Sequence, residues 1–106
     1  MREIDTSLPK GALDKEIVKA IDIVCREAGL TLVSKGSLGK YPGCVHWHYK
    51  VGDQTGTLEI TFWPKGRRAW FALRPNRFGP WMNALVPQLK ADIERWLIAN
   101  PSEVRA

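Results

Sequence analysis

The stretch TLEITFWPKGRRAWFALR, residues 57–74, holds two alternating runs on either side of a turn-forming segment. In the first run Leu58, Ile60 and Phe62 fall on one side and Thr57, Glu59, Thr61 and Trp63 on the other, the period of two that a half-buried strand shows. In the second, Phe71 and Leu73 oppose Trp70, Ala72 and Arg74. PKGRR between them reads as a turn, so residues 57–63 and 69–74 are expected to form an antiparallel hairpin. Directly opposed residues of such a pair share a face. Setting Phe62 against Phe71 and Ile60 against Leu73 forces Trp63 opposite Trp70 and Glu59 opposite Arg74, an aromatic pair and an ion pair on the side away from the core. A one-residue slip would bury Glu59 and Arg74, which is costly for unpaired charges.

Working outward, LTLVSK (30–35) and CVHWHYKV (44–51) read as two more strands, joined by the glycine- and proline-dense loop GSLGKYPG (36–43) and followed by the turn GDQTG. Connections this short require antiparallel neighbours. Alternation in 44–51 sends Val45, Trp47, Tyr49 and Val51 to the core and Cys44, His46, His48 and Lys50 to the other side. Before the strands, Leu13, Ile17, Ile21, Val24 and Ala28 recur at helical spacing, with Asp14, Lys15, Glu16, Lys19, Asp22, Arg26 and Glu27 on a solvated face and Gly29 as the stop. After them, Trp81, Leu85, Leu89, Ile93 and Trp96 form a second helical stripe. Pro80 suits its first position, Pro87 is expected to kink or restart it, and Asn100 with Pro101 ends it.

The expected fold is therefore α+β in two layers: a four-stranded antiparallel meander sheet with N- and C-terminal helices packed on one face, order αββββα. Residues 1–106 are read as a single domain, with 1–10 a flexible N-terminal segment and 101–106 a flexible C-terminal tail. The order is similar, in topology alone, to double-stranded RNA-binding domains, although GPWMNALVPQ lacks the lysines such domains carry at the start of the final helix.

Apolar and charged fractions of 44% and 25% are those of a globular chain. The longest unbroken apolar run is AWFAL, far short of a membrane span, and the start MREIDTSLPKG has no apolar signal-like stretch, so a cytoplasmic protein with no membrane contact is expected. Two cysteines do not make a disulfide framework, and Cys25 falls on the apolar side of the first helix.

The net charge is +5, and all of the excess sits in the strands. Between residues 35 and 77, Lys35, Lys40, Lys50, Lys65, Arg67, Arg68, Arg74 and Arg77 face only Asp53 and Glu59. With the helices on one face, the other face is expected to be open and to carry His46, His48, Lys50, Thr61, Trp63, Trp70 and Arg74, rimmed by a hairpin tip of Lys65, Arg67 and Arg68. Aromatic platforms beside cations bind single-stranded nucleic acid by stacking bases and neutralising phosphates. Lys50, Trp63, Lys65, Arg67, Arg68, Trp70, Arg74 and Arg77 are thus the candidate binding residues of a non-enzymatic domain for nucleic acid or another polyanion. The same tryptophan-rich face suits a protein partner or a homodimer, since tryptophan and arginine dominate interface hot spots.

His46 and His48 lie about 7 Å apart at Cα on one strand face, close enough to share a metal, with Cys44 or Glu59 as a third donor. Cys44 and His48 are about 13 Å apart along the strand, which keeps those two from one ion. With no distant Cys or His left to complete a tetrahedron, the pair is read as outward, solvated histidines and no cofactor is expected. Cys44 beside His46, oriented by Glu59, is the one arrangement with catalytic groups, and an open sheet face offers it no cleft. GSLGKYPG matches neither phosphate-loop spacing.

Overall fold

The computed structural model describes residues 1–100, so the tail expected at 101–106, including the Pro101 stop, lies outside the described residues. The order is β1 (Arg2–Thr6), α1 (Asp14–Glu27), β2 (Thr31–Gly36), β3 (Val45–Lys50), β4 (Leu58–Trp63), β5 (Arg68–Leu73) and α2 (Trp81–Ala99), with a 3-10 turn at Pro75–Arg77 before α2. The class is α+β, as expected, but the sheet has five antiparallel strands in the order β1-β5-β4-β3-β2.

The four-stranded αββββα expectation is corrected by β1, which occupies part of the segment expected to be flexible. It pairs with β5, Ile4 opposite Phe71 and Asp5 opposite Trp70. REIDT carries a single large apolar residue, so no alternation announces it. As an edge strand it needs only Ile4 and Thr6 toward the core, and the ladder and its ion pairs hold the rest. Arg68 donates to Glu3 and to both carboxylate oxygens of Asp5 at 2.7–2.9 Å. Arg67 donates to the carbonyls of Pro9 and Ala12 at 2.9 and 2.6 Å, which pins the segment leading to α1.

The hairpin register is also corrected. Phe62 faces Ala69, Ile60 faces Phe71, Thr61 faces Trp70 and Trp63 faces Arg68. The slip is two residues, so every side chain keeps its expected face. The turn decides it. Arg67 N–H donates to the Pro64 carbonyl at 3.0 Å with Arg67 at φ 51°, closing residues 64–67 into a four-residue loop. Gly66 lies beneath the Trp63 indole, where a Cβ would come within 2.2 Å of the ring. Pairing the largest apolar residues predicts a longer loop, and the tighter turn adds one more pair of residues to the ladder.

Both helices contribute to one core on a single sheet face, around Trp47, Leu58, Ile60, Phe62 and Phe71. Asp22, expected on the solvated side of α1, accepts the indole N–H of fully buried Trp47 at 2.8 Å and ties the helix to β3. Gly29, at φ 86°, ends α1, and Leu30 N–H closes back on the Cys25 carbonyl at 3.1 Å. The buried stripe of α2 is Met82, Val86, Leu89, Ile93 and Leu97, which keeps Leu89 and Ile93 of the expected stripe and moves one position round at its two ends, so Trp81, Leu85 and Trp96 are half-buried flanks. The helix runs through Pro87, which is exposed, so its missing N–H falls on the solvent side. Among the described residues no helix is long and apolar enough to cross a membrane.

Candidate metal centre

The face away from the helices is not open. Residues 37–43, between β2 and β3, fold across it, and Tyr41 sits against both tryptophans, its ring centroid 5.2 Å from Trp63 and 5.0 Å from Trp70. Trp63 donates its indole N–H to the Pro42 carbonyl at 3.2 Å, and Leu38 N–H meets the Cys44 sulfur at 3.2 Å, so both ends of the loop are held. Trp70 is consequently 2% exposed, and the Arg68 guanidinium lies 4.2 Å from its ring centroid.

Beneath this cover the register assembles a polar cluster. On β3–β4, His48 is directly opposite Glu59 and His46 opposite Thr61, and Ala72 of β5 faces Glu59 from the other side. Glu59 is 2% exposed and His46 8%. The expectation of two outward, solvated histidines is thus corrected. His46 is buried, and only His48 is half-exposed at the rim of the cluster.

His46 Nε2, His48 Nε2 and Glu59 Oε1 converge. The separations are 3.0 Å between the two nitrogens, 3.2 Å from His46 to Glu59 and 3.8 Å from His48 to Glu59. Donors bound to one ion at about 2.0–2.1 Å stand about 3.0 Å apart at right angles and about 3.4 Å apart in a tetrahedron. Two separations suit that span, and the third needs to close by a few tenths of an ångström. His46 Nδ1 lies 2.7 Å from Thr61 Oγ1. With Nδ1–H donating to that hydroxyl, Nε2 keeps its lone pair toward the cluster, the usual outer support of a ligating imidazole.

The other carboxylate oxygen is occupied. Glu59 Oε2 accepts Arg74 Nε at 2.7 Å and lies 3.5 Å from Arg77 Nη1. Glu59 and Arg74 are therefore paired as the sequence predicts, but diagonally. Burial holds His46 below the ordinary histidine value, and His48 and Arg74 push the same way, with Glu59 opposing. Neutral imidazole is the ligating form.

A cavity of about 90 Å³ opens beside the cluster, with His46, Glu59, Thr61, Trp70, Ala72 and Arg74 on its walls and Leu38, Lys40 and Tyr41 of the loop above. The cleft that an open sheet would lack is thus supplied by the loop. Cys44 lies apart from the triad, its sulfur committed to Leu38.

Of the eight residues expected to bind a polyanion, the structure brings Arg74 and Arg77 together on Glu59, and Trp63, Trp70 and Arg68 into the packing around Tyr41. Arg67 is turned to the backbone at Pro9 and Ala12, with Asp14 at 3.7 Å. Lys50 and Lys65 are exposed at opposite ends of the sheet. Of the two third donors offered by the sequence, Cys44 and Glu59, the structure brings Glu59 to the histidines. Pairing the core positions of β3 and β4 places His48 across from it, a register the alternation already contains.

Comparison with protein-family models, with curated proteins and with solved structures gives no match.

Proposed function

We propose that the chain is a metal-binding domain. A divalent first-row transition ion, zinc or iron(II), is held by His46 Nε2, His48 Nε2 and Glu59 Oε1, with coordination positions left open for a ligand. The observation that carries this is the convergence of those three atoms within 3.0–3.8 Å of one another in a covered site. With His46 Nδ1–H donated to Thr61 and no cation present, only the His48 Nε2 proton would be left to share among the three atoms. Two histidines with one carboxylate is a donor set of catalytic zinc and of non-haem iron, both of which keep open positions. The test is equilibrium dialysis of untagged protein against zinc, in wild type and in His48→Ala, a change at the half-exposed rim. One equivalent in wild type, with affinity lowered at least tenfold in the variant, is the expected outcome. Less than a tenth of an equivalent, or equal binding by both, would contradict the assignment.

A second reading, binding of nucleic acid or another polyanion by the sheet face and its rim, is supported by the charge excess. Lys40, Lys50 and Lys65 form no ion pair among the described residues. Three phosphate contacts would give a modest salt dependence, a logarithmic slope of about −2 to −3. Undetectable binding of single-stranded oligonucleotides at low salt would remove this reading.

A further inference from the structure

A dication at the triad would leave the cluster strongly positive. Glu59 is its one carboxylate and already answers Arg74 and Arg77. Glu3, the other acid on the cavity wall, is paired with Arg68 at 2.9 Å. Arg74 and Arg77 are 41% and 46% exposed, so water screens part of that charge, but a dication beside buried Glu59 and His46 would be covered, and excess charge there is costly unless a counter-charge joins it. The cavity is placed to admit one. It shares His46 and Glu59 with the triad, and its volume of about 90 Å³ is roughly that of three water molecules. Two cations on its walls have capacity to spare. Arg74 spends only Nε on Glu59, and its terminal nitrogens make no hydrogen bond within the described residues. Lys40 has no carboxylate partner there and stands 5.6 Å from the Tyr41 ring centroid. Ala72 is the small side chain that leaves the floor of the cavity empty, while Leu38, Tyr41 and Trp70 give it apolar sides.

We propose, building on the metal assignment above, that this cavity binds a phosphate group, as free phosphate or as a phosphomonoester, between the metal, the Arg74 fork and Lys40. A near-dianion answers the surplus of a dication, the Arg74 guanidinium and the Lys40 ammonium over the Glu59 carboxylate better than a monoanion does, and planar guanidinium matches paired phosphate oxygens.

The experiment uses the full chain loaded with cobalt(II) in a non-coordinating buffer, with cobalt affinity measured first. Inorganic phosphate, phenyl phosphate and acetate are then titrated while the visible cobalt bands are followed. Phosphate is expected to shift the bands with at least tenfold higher affinity than acetate. Lys40→Met, on the covering loop, should weaken phosphate at least tenfold with cobalt affinity unchanged, and Ala72→Leu, which fills the cavity, should abolish the shift. A response to phenyl phosphate as well as to inorganic phosphate assigns the site to esters; a response to inorganic phosphate alone assigns it to the free anion. Cobalt bound with no response to phosphate would overturn the phosphate site and leave the metal assignment standing. Acetate equal to phosphate, or a response unchanged in both variants, would also overturn it. Failure of cobalt to bind would overturn both.

Discussion

Glu59 meets four nitrogen-bearing side chains at once, Arg74 and Arg77 on one oxygen and His46 and His48 on the other. Glu59→Gln keeps the shape but removes the charge that balances the two arginines, so metal affinity should fall at least tenfold by dialysis and the melting temperature should drop. A variant as stable as wild type and equally metal-loaded would show that the carboxylate serves neither role. On the other side of the sheet, Cys25 of α1 is buried in the core and its thiol is pushed up to about 12 by desolvation. The native thiol therefore holds its proton where the unfolded one, near 8.5, has lost it. Because the native state then binds more protons, this group's contribution to stability is intact below about pH 8.5 and declines as pH rises toward 12. At pH 8, a thiol reagent should leave Cys25 unmodified in the native protein and modify it in denaturant. Rapid native labelling at Cys25 would contradict its burial.

At the scale of elements, the loop at 37–43 decides whether the sheet face is a platform or a pocket. Tyr41→Ala should uncover Trp63 and Trp70, seen as greater quenching of tryptophan fluorescence by acrylamide; unchanged quenching would mean that the loop does not cover them. The β4–β5 turn is equally specific. Gly66→Ala presses a methyl into the Trp63 ring and should destabilise the hairpin, measurable as a lower denaturation midpoint, whereas Lys65→Ala at the same tip should be neutral. Helix α1 is tethered through Asp22, and Asp22→Ala, by orphaning the buried Trp47 indole N–H, should cost about 1–2 kcal/mol in denaturant unfolding. The alternation in β3, β4 and β5 makes their core and outer faces legible because one side is uniformly apolar, and the helices are legible from their stripes. β1 is not, since one apolar residue among five carries no period. The exact β4–β5 register is not legible either, because it follows the turn and not the size of the apolar side chains. The cover over the outer face was hidden for a related reason. A glycine- and proline-rich loop reveals that the chain turns, while the direction of Tyr41 depends on tryptophans one and two strands beyond β3.

Across the whole molecule, part of the positive excess of the strands is answered internally. Arg68 answers β1, Arg74 and Arg77 answer Glu59, and Lys35 answers Asp22 at 2.8 Å. Such pairing leaves the net charge of +5 unchanged, but the excess of eight bases over two acids along residues 35–77 overstates the charge free for a partner there, and the candidate site was only partly legible in it. His46 and His48 were visible as a pair with Cys44 or Glu59 as a third donor, yet the choice of Glu59 and the enclosure that makes them a centre come from the β3–β4 register and the covering loop. The central claim is that three donors on two adjacent strands hold one ion. Anomalous scattering at the zinc edge from crystals grown with zinc measures this directly. The account predicts one strong peak about 2.0–2.2 Å from His46 Nε2, His48 Nε2 and Glu59 Oε1. An empty triad, with the imidazoles still in mutual contact and zinc only at surface sites, would contradict it.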